Sequence, residues 1–215
     1  ISVLWAGGLY GLNALCKSAL AQAAGAVVGA CRAARPPSFE RPLIGMTSLG
    51  ATTLRYMKTL LPALEARGYE VAVFHCIGMG GQAFEAMARQ GRFAAVFDFC
   101  LQEVTNALFG SCVTAGPDRL LGAGRAGVPQ LVSPGTVDMV DFQSWGAAPV
   151  GLDAAAAHHH NRLIASVALD AEQRQRVAVE IATRLAQAKG AACLLLPTLG
   201  ISEWDRSGGP MHDPA

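Results

Sequence analysis

The sequence predicts an α/β protein built on a doubly wound, mostly parallel sheet, a Rossmann-like three-layer sandwich. Three observations carry this. From residue 41 onward, short apolar runs of strand length alternate with segments of helical periodicity. The connections after these runs are rich in Gly, Ser and Thr, as turns between strands and helices are. Residues 71–87 (VAVFHCIGMGGQAFEAM) join an apolar run, a glycine turn and a helix start in one stretch. Such alternation implies parallel strands, right-handed crossovers and ligands bound at the carboxyl edge of the sheet.

Of the 215 residues, 52% are hydrophobic and 15% charged, enough for an extensive core and too apolar for a disordered chain. The net charge of +1, with no block of like charge, argues against nucleic acid or an anionic membrane surface as partner. Apolar runs are short or broken by Gly, Asn, Lys and Gln, so no bilayer-spanning segment is expected. No basic segment precedes the apolar residues 1–5, so a signal peptide is not expected either. The six cysteines lack a C-x-x-C pair and read as reduced core residues of a cytoplasmic protein.

Residues 1–5 (ISVLW) read as a core strand and residues 208–215 (GGPMHDPA) as a loop, so a fragment or one chain of a larger protein is expected. Gly7, Gly8 and Gly11 form a loop before an Ala-rich helix over residues 12–31. A linker with Pro36 and Pro37 follows over residues 33–41. The expected organisation is residues 1–35 at the junction with a missing N-terminal domain, and residues 36–215 as a Rossmann-like domain.

Residues 41–47 (RPLIGMT) form a strand. Ser48, Thr52 and Thr53 open the helix that runs to residue 67, where their hydroxyls can cap it or hold a phosphate. In the next unit the apolar run reads as a strand covered on both faces. Gly78, Gly80 and Gly81 then let the backbone approach a ligand beside a helix N-terminus. Gly78, Gly80 and Ala83 meet the G-x-G-x-x-G/A spacing, with Asp98 about twenty residues on as a ribose-binding acid. Close helix–strand packing is the alternative reason for the same glycines. His75 is either catalytic or a satisfied core histidine.

Residues 93–99 (FAAVFDF) form another strand, with Asp98 near its carboxyl end, before a helix holding Glu103. A helix over residues 116–126 opens with Pro117 and Asp118. Residues 128–132 form a strand and residues 133–142 an irregular loop, on which Asp138 and Asp141 either hold Mg²⁺ or stay solvated. The histidines at 158–160 point different ways and make no zinc tripod; His160, with Asn161 beside it, is expected to face the ligand cleft. Residues 170–189 form the clearest helix, capped by Asp170, with Val177, Ile181, Leu185 and Ala188 as its apolar stripe. Residues 191–196 (AACLLL) read as a last buried strand. His212 and Asp213 lie on a terminal loop that either closes over a ligand or is plain surface.

Seven stretches in order, over nearly the whole chain, carry a resemblance: LNALCKSALAQAAGAVVG, GMTSLGATT, GYEVAVFHCIGMGGQAFEAM, AGPDRL, VSPGTVDMVDF, HHHN and GGPMHDP. Together they resemble the Tm-1-like ATP-binding family, also described as UPF0261. The resemblance implies the C-terminal domain of a longer two-domain protein, whose N-terminal domain carries its own glycine-rich loop across a cleft. It implies binding of ATP or a related nucleotide with Mg²⁺, bacterial members that look like enzymes of undefined reaction, and a TIM-barrel partner protein. A plant member inhibits tobamovirus replication. This chain departs from the family pattern at Ile77, where Thr is usual, and at Phe99, Cys100 and Leu101, in place of threonines. It departs again at Asp141, in place of Asn. Fewer hydroxyls and an added negative charge favour a cation or a less anionic ligand.

The function expected is a nucleotide- or phosphorylated-ligand-binding domain of a bacterial metabolic enzyme, with hydrolase, lyase or ATP-dependent chemistry ahead of oxidoreductase chemistry. Ser48, Thr52, Thr53, Gly78, Gly80, Gly81, Asp98 and Asn161 are the expected ligand contacts. His75, His160 and Glu103 are the expected acid–base groups, and Asp138 and Asp141 the metal ligands. The expected partners are the N-terminal domain, a small phosphorylated ligand and further copies of the chain in a homo-oligomer. Two alternatives stand beside this. The glycine spacing with Asp98 supports an NAD(P)-dependent oxidoreductase, and the plant member supports a non-catalytic binding or inhibitory module.

Overall fold

The computed structural model describes residues 12–35, 38–209 and 212. The strand expected at residues 1–5, the glycine loop after it, Pro36, Pro37 and Asp213 lie outside the described residues. The chain divides into two compact units, Ile1–Ser38 and Phe39–Ala215.

In the first unit, α1 (Ala14–Ala33) begins where the Asn13 side chain accepts a hydrogen bond from the Cys16 N–H at 2.9 Å. Ala and Leu favour it intrinsically. By length and composition alone it is long and apolar enough to cross a membrane, against the sequence expectation. Lys17 and Arg32 near its two ends are its only charged residues. The core helix of a soluble protein and a signal sequence pass the same test.

The second unit contains, in chain order, β1 (Leu43–Ser48), α2 (Gly50–Glu65), β2 (Glu70–His75), α3 (Met79–Arg89), β3 (Ala95–Asp98), α4 (Gln102–Leu108) and α5 (Gly122–Arg125). β4 (Gln130–Val132), β5 (Met139–Gln143), β6 (His158–His159), β7 (Ile164–Ala168), α6 (Ala171–Leu185) and β8 (Ala192–Leu194) follow. Five strands form a parallel sheet in the order β2-β1-β3-β4-β8. α2 packs Leu60, Leu61 and Leu64 against Ile44 and Met46. Phe84 and Ala88 of α3 pack with Phe93, Val96 and Ala123. Val177 and Ile181 of α6 cover Val132, Leu101 and Val104. The result is the doubly wound α/β arrangement the alternation predicts.

Five local expectations are corrected. β2 is an edge strand and only half-buried, because the chain crosses back over β1 to build β3, β4 and β8 on its far side. β8 is the opposite edge, and all three of its residues are exposed rather than buried. Beside it a groove of about 820 Å³ runs over Phe97, Leu131 and Leu195, uncovered by any described residue. The helix expected over residues 116–126 shrinks to α5, since Leu120 takes φ 70° and breaks the first turn. The loop expected over residues 133–142 ends in a strand: β5 pairs antiparallel with β7, which pairs with β6. Phe142, Ala165 and Val167 bury one face of this three-stranded sheet, which is why it forms. The cysteines split as well, with Cys16, Cys76 and Cys100 buried and Cys31, Cys112 and Cys193 exposed; all six are free thiols.

Candidate functional site

The glycine turn is where the sequence places an anion. Gly78 takes φ 99°, a left-handed value natural to glycine, and α3 begins at the next residue. The Gly78 N–H, however, donates to Glu103 Oε1 at 2.5 Å. The protein's own carboxylate stands where a phosphate would. A Cβ on Gly80 would lie 1.8 Å from the His75 carbonyl oxygen, and one on Gly81 would lie 1.9 Å from Glu103 Oε2. Both glycines are therefore required by close packing.

Glu103 belongs to a buried ionic cluster centred on Arg119, a residue the sequence does not single out. Arg119 Nε donates to Glu103 Oε2 at 2.8 Å, and Nη1 donates to Asp98 Oδ2 at 2.5 Å and Glu85 Oε1 at 3.2 Å. Nη2 donates to Asp98 Oδ1 at 2.6 Å and the Cys100 carbonyl at 2.8 Å, so every guanidinium N–H is used. Thr47 Oγ1 donates to Asp98 at 2.8 Å, and the Leu120 and Gly122 N–H groups donate to Glu85 at 2.5 and 2.7 Å. Burial works against the Arg119 charge, but Asp98 beside it, with Cys76 and Glu85, more than offsets this and raises its pKa further above the usual arginine value. Burial also pushes the Glu85 carboxyl up, the Arg119 charge opposing.

Asp98 and Glu103 are thus internal partners of Arg119, not a ribose-binding acid and an acid–base catalyst; their side chains are 2% and 0% exposed. Without a free Asp98 the dinucleotide spacing loses its ribose ligand. Close packing accounts for the glycines.

A cleft of about 430 Å³ opens instead at the carboxyl ends of β1 and β2. Its walls come from the start of α2, the end of β2, the β5–β7 sheet and residues 201–204. Leu49 precedes α2 in extended conformation and offers no side-chain cap. Thr53 Oγ1 accepts from the Leu49 N–H at 3.2 Å, while Thr52 Oγ1 accepts from the Glu203 N–H at 3.2 Å. Gly50, Ala51 and Thr52, whose N–H groups precede the first helical hydrogen bond, line the cleft. On another side Ser202 Oγ donates to Asp138 Oδ2 at 2.8 Å, and Arg55 pairs with Glu203 at 2.7 Å. The Trp204 ring lies 4.5 Å from the His158 ring and 5.8 Å from that of His160.

Of the residues expected at the site, Thr52, His75, Asp141, His160 and Asn161 line this cleft. His75 is exposed there rather than part of the core. Asn161 Oδ1 accepts from the Leu163 and Ile164 N–H groups at 2.7 and 2.9 Å and so also shapes the turn into β7. Ser48, Thr53, Gly78, Gly80, Gly81, Asp98, Glu103 and Asp138 are not among the lining residues. Gln102, Ser166, Glu203 and Trp204 are, though no local sequence signal marks them.

The family model for the UPF0261 C-terminal domain, described as an uncharacterised protein family, matches residues 41–215. The chain belongs to the UPF0261 family. It is 57% identical over 212 residues to a UPF0261 protein of Brucella melitensis, covering 99% of this chain and 51% of that one. To a UPF0261 protein of Clostridium tetani it is 34% identical over 201 residues, 93% of this chain and 50% of that one. It is also 29% identical over 212 residues to the ToMV resistance protein Tm-1 of Solanum lycopersicum, 96% of this chain and 28% of that one. The chain spans about half the length of the bacterial relatives it matches.

In this UPF0261 chain the two carboxylates expected to share Mg²⁺ have separate surroundings. Asp138 bonds to Ser202 and lies near Asp205, while Asp141 bonds to Ser166 and lies near Gln102 and His160. Among the described residues no group of three or more His, Cys, Asp or Glu is placed to hold a metal ion. Mg²⁺ on this pair does not fit. ATP finds little charge complement either, because among the described lining residues there is neither Lys nor Arg.

Burial raises the Asp141 carboxyl above the usual carboxylate range, with the Ser166 and Gln102 hydrogen bonds opposing. An acid whose folded pKa exceeds its unfolded one binds protons preferentially in the native state. Its ionisation therefore costs stability as pH rises from about 4 through the folded pKa. Asp141→Asn in this UPF0261 domain is expected to gain on the order of 1 kcal/mol at neutral pH and to lose that advantage near pH 4. Urea unfolding of both proteins across that range measures the difference; an advantage independent of pH would contradict the assignment.

Proposed function

We propose that this chain is the ligand-binding α/β domain of a UPF0261 protein and that its cleft holds a small phosphorylated ligand. The observation that carries the reading is the start of α2. A 16-residue helix without a side-chain cap begins at the carboxyl edge of the sheet, on the wall of a cleft large enough for a metabolite. The phosphate sits on the first-turn N–H groups of Gly50, Ala51 and Thr52. The exposed His75 and His160 supply the groups suited to acid–base work at the same cleft. In the longer bacterial relatives, the rest of the polypeptide would complete the site and define the reaction of a metabolic enzyme.

A thermal-shift screen tests this with sugar phosphates, inorganic phosphate, ADP, ATP and NAD⁺, each with and without Mg²⁺. Ligand at about 100 times its dissociation constant adds ~2.7 kcal/mol, a shift of a few degrees. Ala51→Asp is the informative variant. Its carboxylate favours the helix N-terminus and keeps the fold, yet repels an anion there. The shift is expected to vanish in Ala51→Asp; a shift that survives it, or none with any phosphate in the wild-type chain, contradicts the reading.

A further inference from the structure

We infer that the ligand is a small hydroxylated molecule with a single anionic group: a short polyol or hydroxy acid bearing one phosphate or one carboxylate. Its anionic group lies on the start of α2 and a hydroxyl donates to Gln102. This rests on the cleft being the anion site argued above.

Gln102 opens α4, lines the cleft and is 1% exposed. Gln102 lies beside Asp141, and its Oε1 is buried with no partner. A buried amide oxygen without a donor is costly. A ligand hydroxyl reaching this wall meets that oxygen. Asp141 beside it already accepts from Ser166 Oγ at 2.6 Å, which leaves the Gln102 oxygen as the unmet acceptor on this wall. Glu203 adds a second carboxylate, ion-paired to Arg55 and Arg206, and among the described lining residues there is no Lys or Arg. One negative group can be met by the helix start. Further charges, as on a triphosphate, would meet the Asp141 carboxylate. Met139, Ile164 and Trp204 supply apolar lining for a short carbon chain.

Matched probes test this by calorimetry on the full chain: glycerol 3-phosphate against n-propyl phosphate, and glycerate against propionate. Each pair shares charge and size and differs in hydroxyls; the two pairs separate phosphate from carboxylate. The hydroxylated member of at least one pair is expected to bind about tenfold tighter or more. ATP is expected to bind no tighter than n-propyl phosphate. In Gln102→Met the preference within the pair is expected to fall to near unity while the deoxy probe keeps its affinity. Equal affinities within both pairs, or tighter ATP binding, would overturn the inference, and the wild-type ratios alone decide it if the variant does not fold. Equal affinities that Ala51→Asp abolishes would overturn only the hydroxyl assignment. No binding of any probe would overturn the cleft reading with it.

Discussion

Arg119→Met is expected to leave the second unit largely unfolded in native buffer. The substitution strands Glu85, Asp98 and Glu103 in a space where the Arg119 side chain is 0% exposed. Removing one partner of a buried ion pair costs about 3–5 kcal/mol, and here three acids lose theirs. A domain of this size has roughly 5–15 kcal/mol in all. Arg119→Lys is expected to do little better, because one ammonium cannot reproduce a fork that reaches Asp98 through both Nη atoms and Glu103 through Nε. Adding Asp98→Asn and Glu103→Gln to Arg119→Met is expected to recover part of the loss, since the stranded charges are then gone. Circular dichroism and urea unfolding report all three. A single Arg119→Met variant that unfolds cooperatively within about 1 kcal/mol of wild type would contradict this role.

Gly80→Ala is expected to be the next most damaging change, costing about 3 kcal/mol or more. The new Cβ would meet the His75 carbonyl oxygen at 1.8 Å and its carbon at 2.7 Å, both backbone atoms that cannot rotate away. α3 would have to withdraw from β2, taking Phe84 and Ala88 out of their core. Gly81→Ala strikes the Glu103 carboxylate instead, and so disturbs the Gly78 and Arg119 bonds to it. A variant at Gly80 therefore reports on the fold and not on a ligand contact. A Gly80→Ala protein as stable as wild type, with loss confined to ligand binding, would restore the glycine turn as a phosphate loop.

The parallel sheet was legible because its signals are local. Runs such as LIGMTS and EVAVFH each precede a helix of clear periodicity, and Asp170 with Gln173 forms the capping box that starts α6. The small antiparallel sheet was not, because β5 and β7 are joined only by tertiary pairing across the twenty residues between Gln143 and Ile164. Edge positions were misread for the same reason: VAVF and AACLLL look like interior strands, and only the strand order puts them at the two rims. At the site, residue type located His75, His160 and Asn161, all beside turn or strand-end signals. It misassigned Asp98 and Glu103, because an acid near a strand end is equally fit to hold a ligand or an arginine. The deciding residue, Arg119, lies in GPDRL, where the sequence reads as an ordinary helix start; nothing local marks it as buried. Gln102 escaped notice because an unmet amide oxygen is a property of the assembled wall.

The central claim is that the anion position lies at the start of α2, the glycine turn being filled by Glu103. Hydrogen–deuterium exchange of the full chain with and without inorganic phosphate tests it most directly. Slowed exchange is expected at residues 50–53 and 201–204, with residues 78–82 unchanged. Slowing at residues 78–82, with residues 50–53 unaffected, would contradict it.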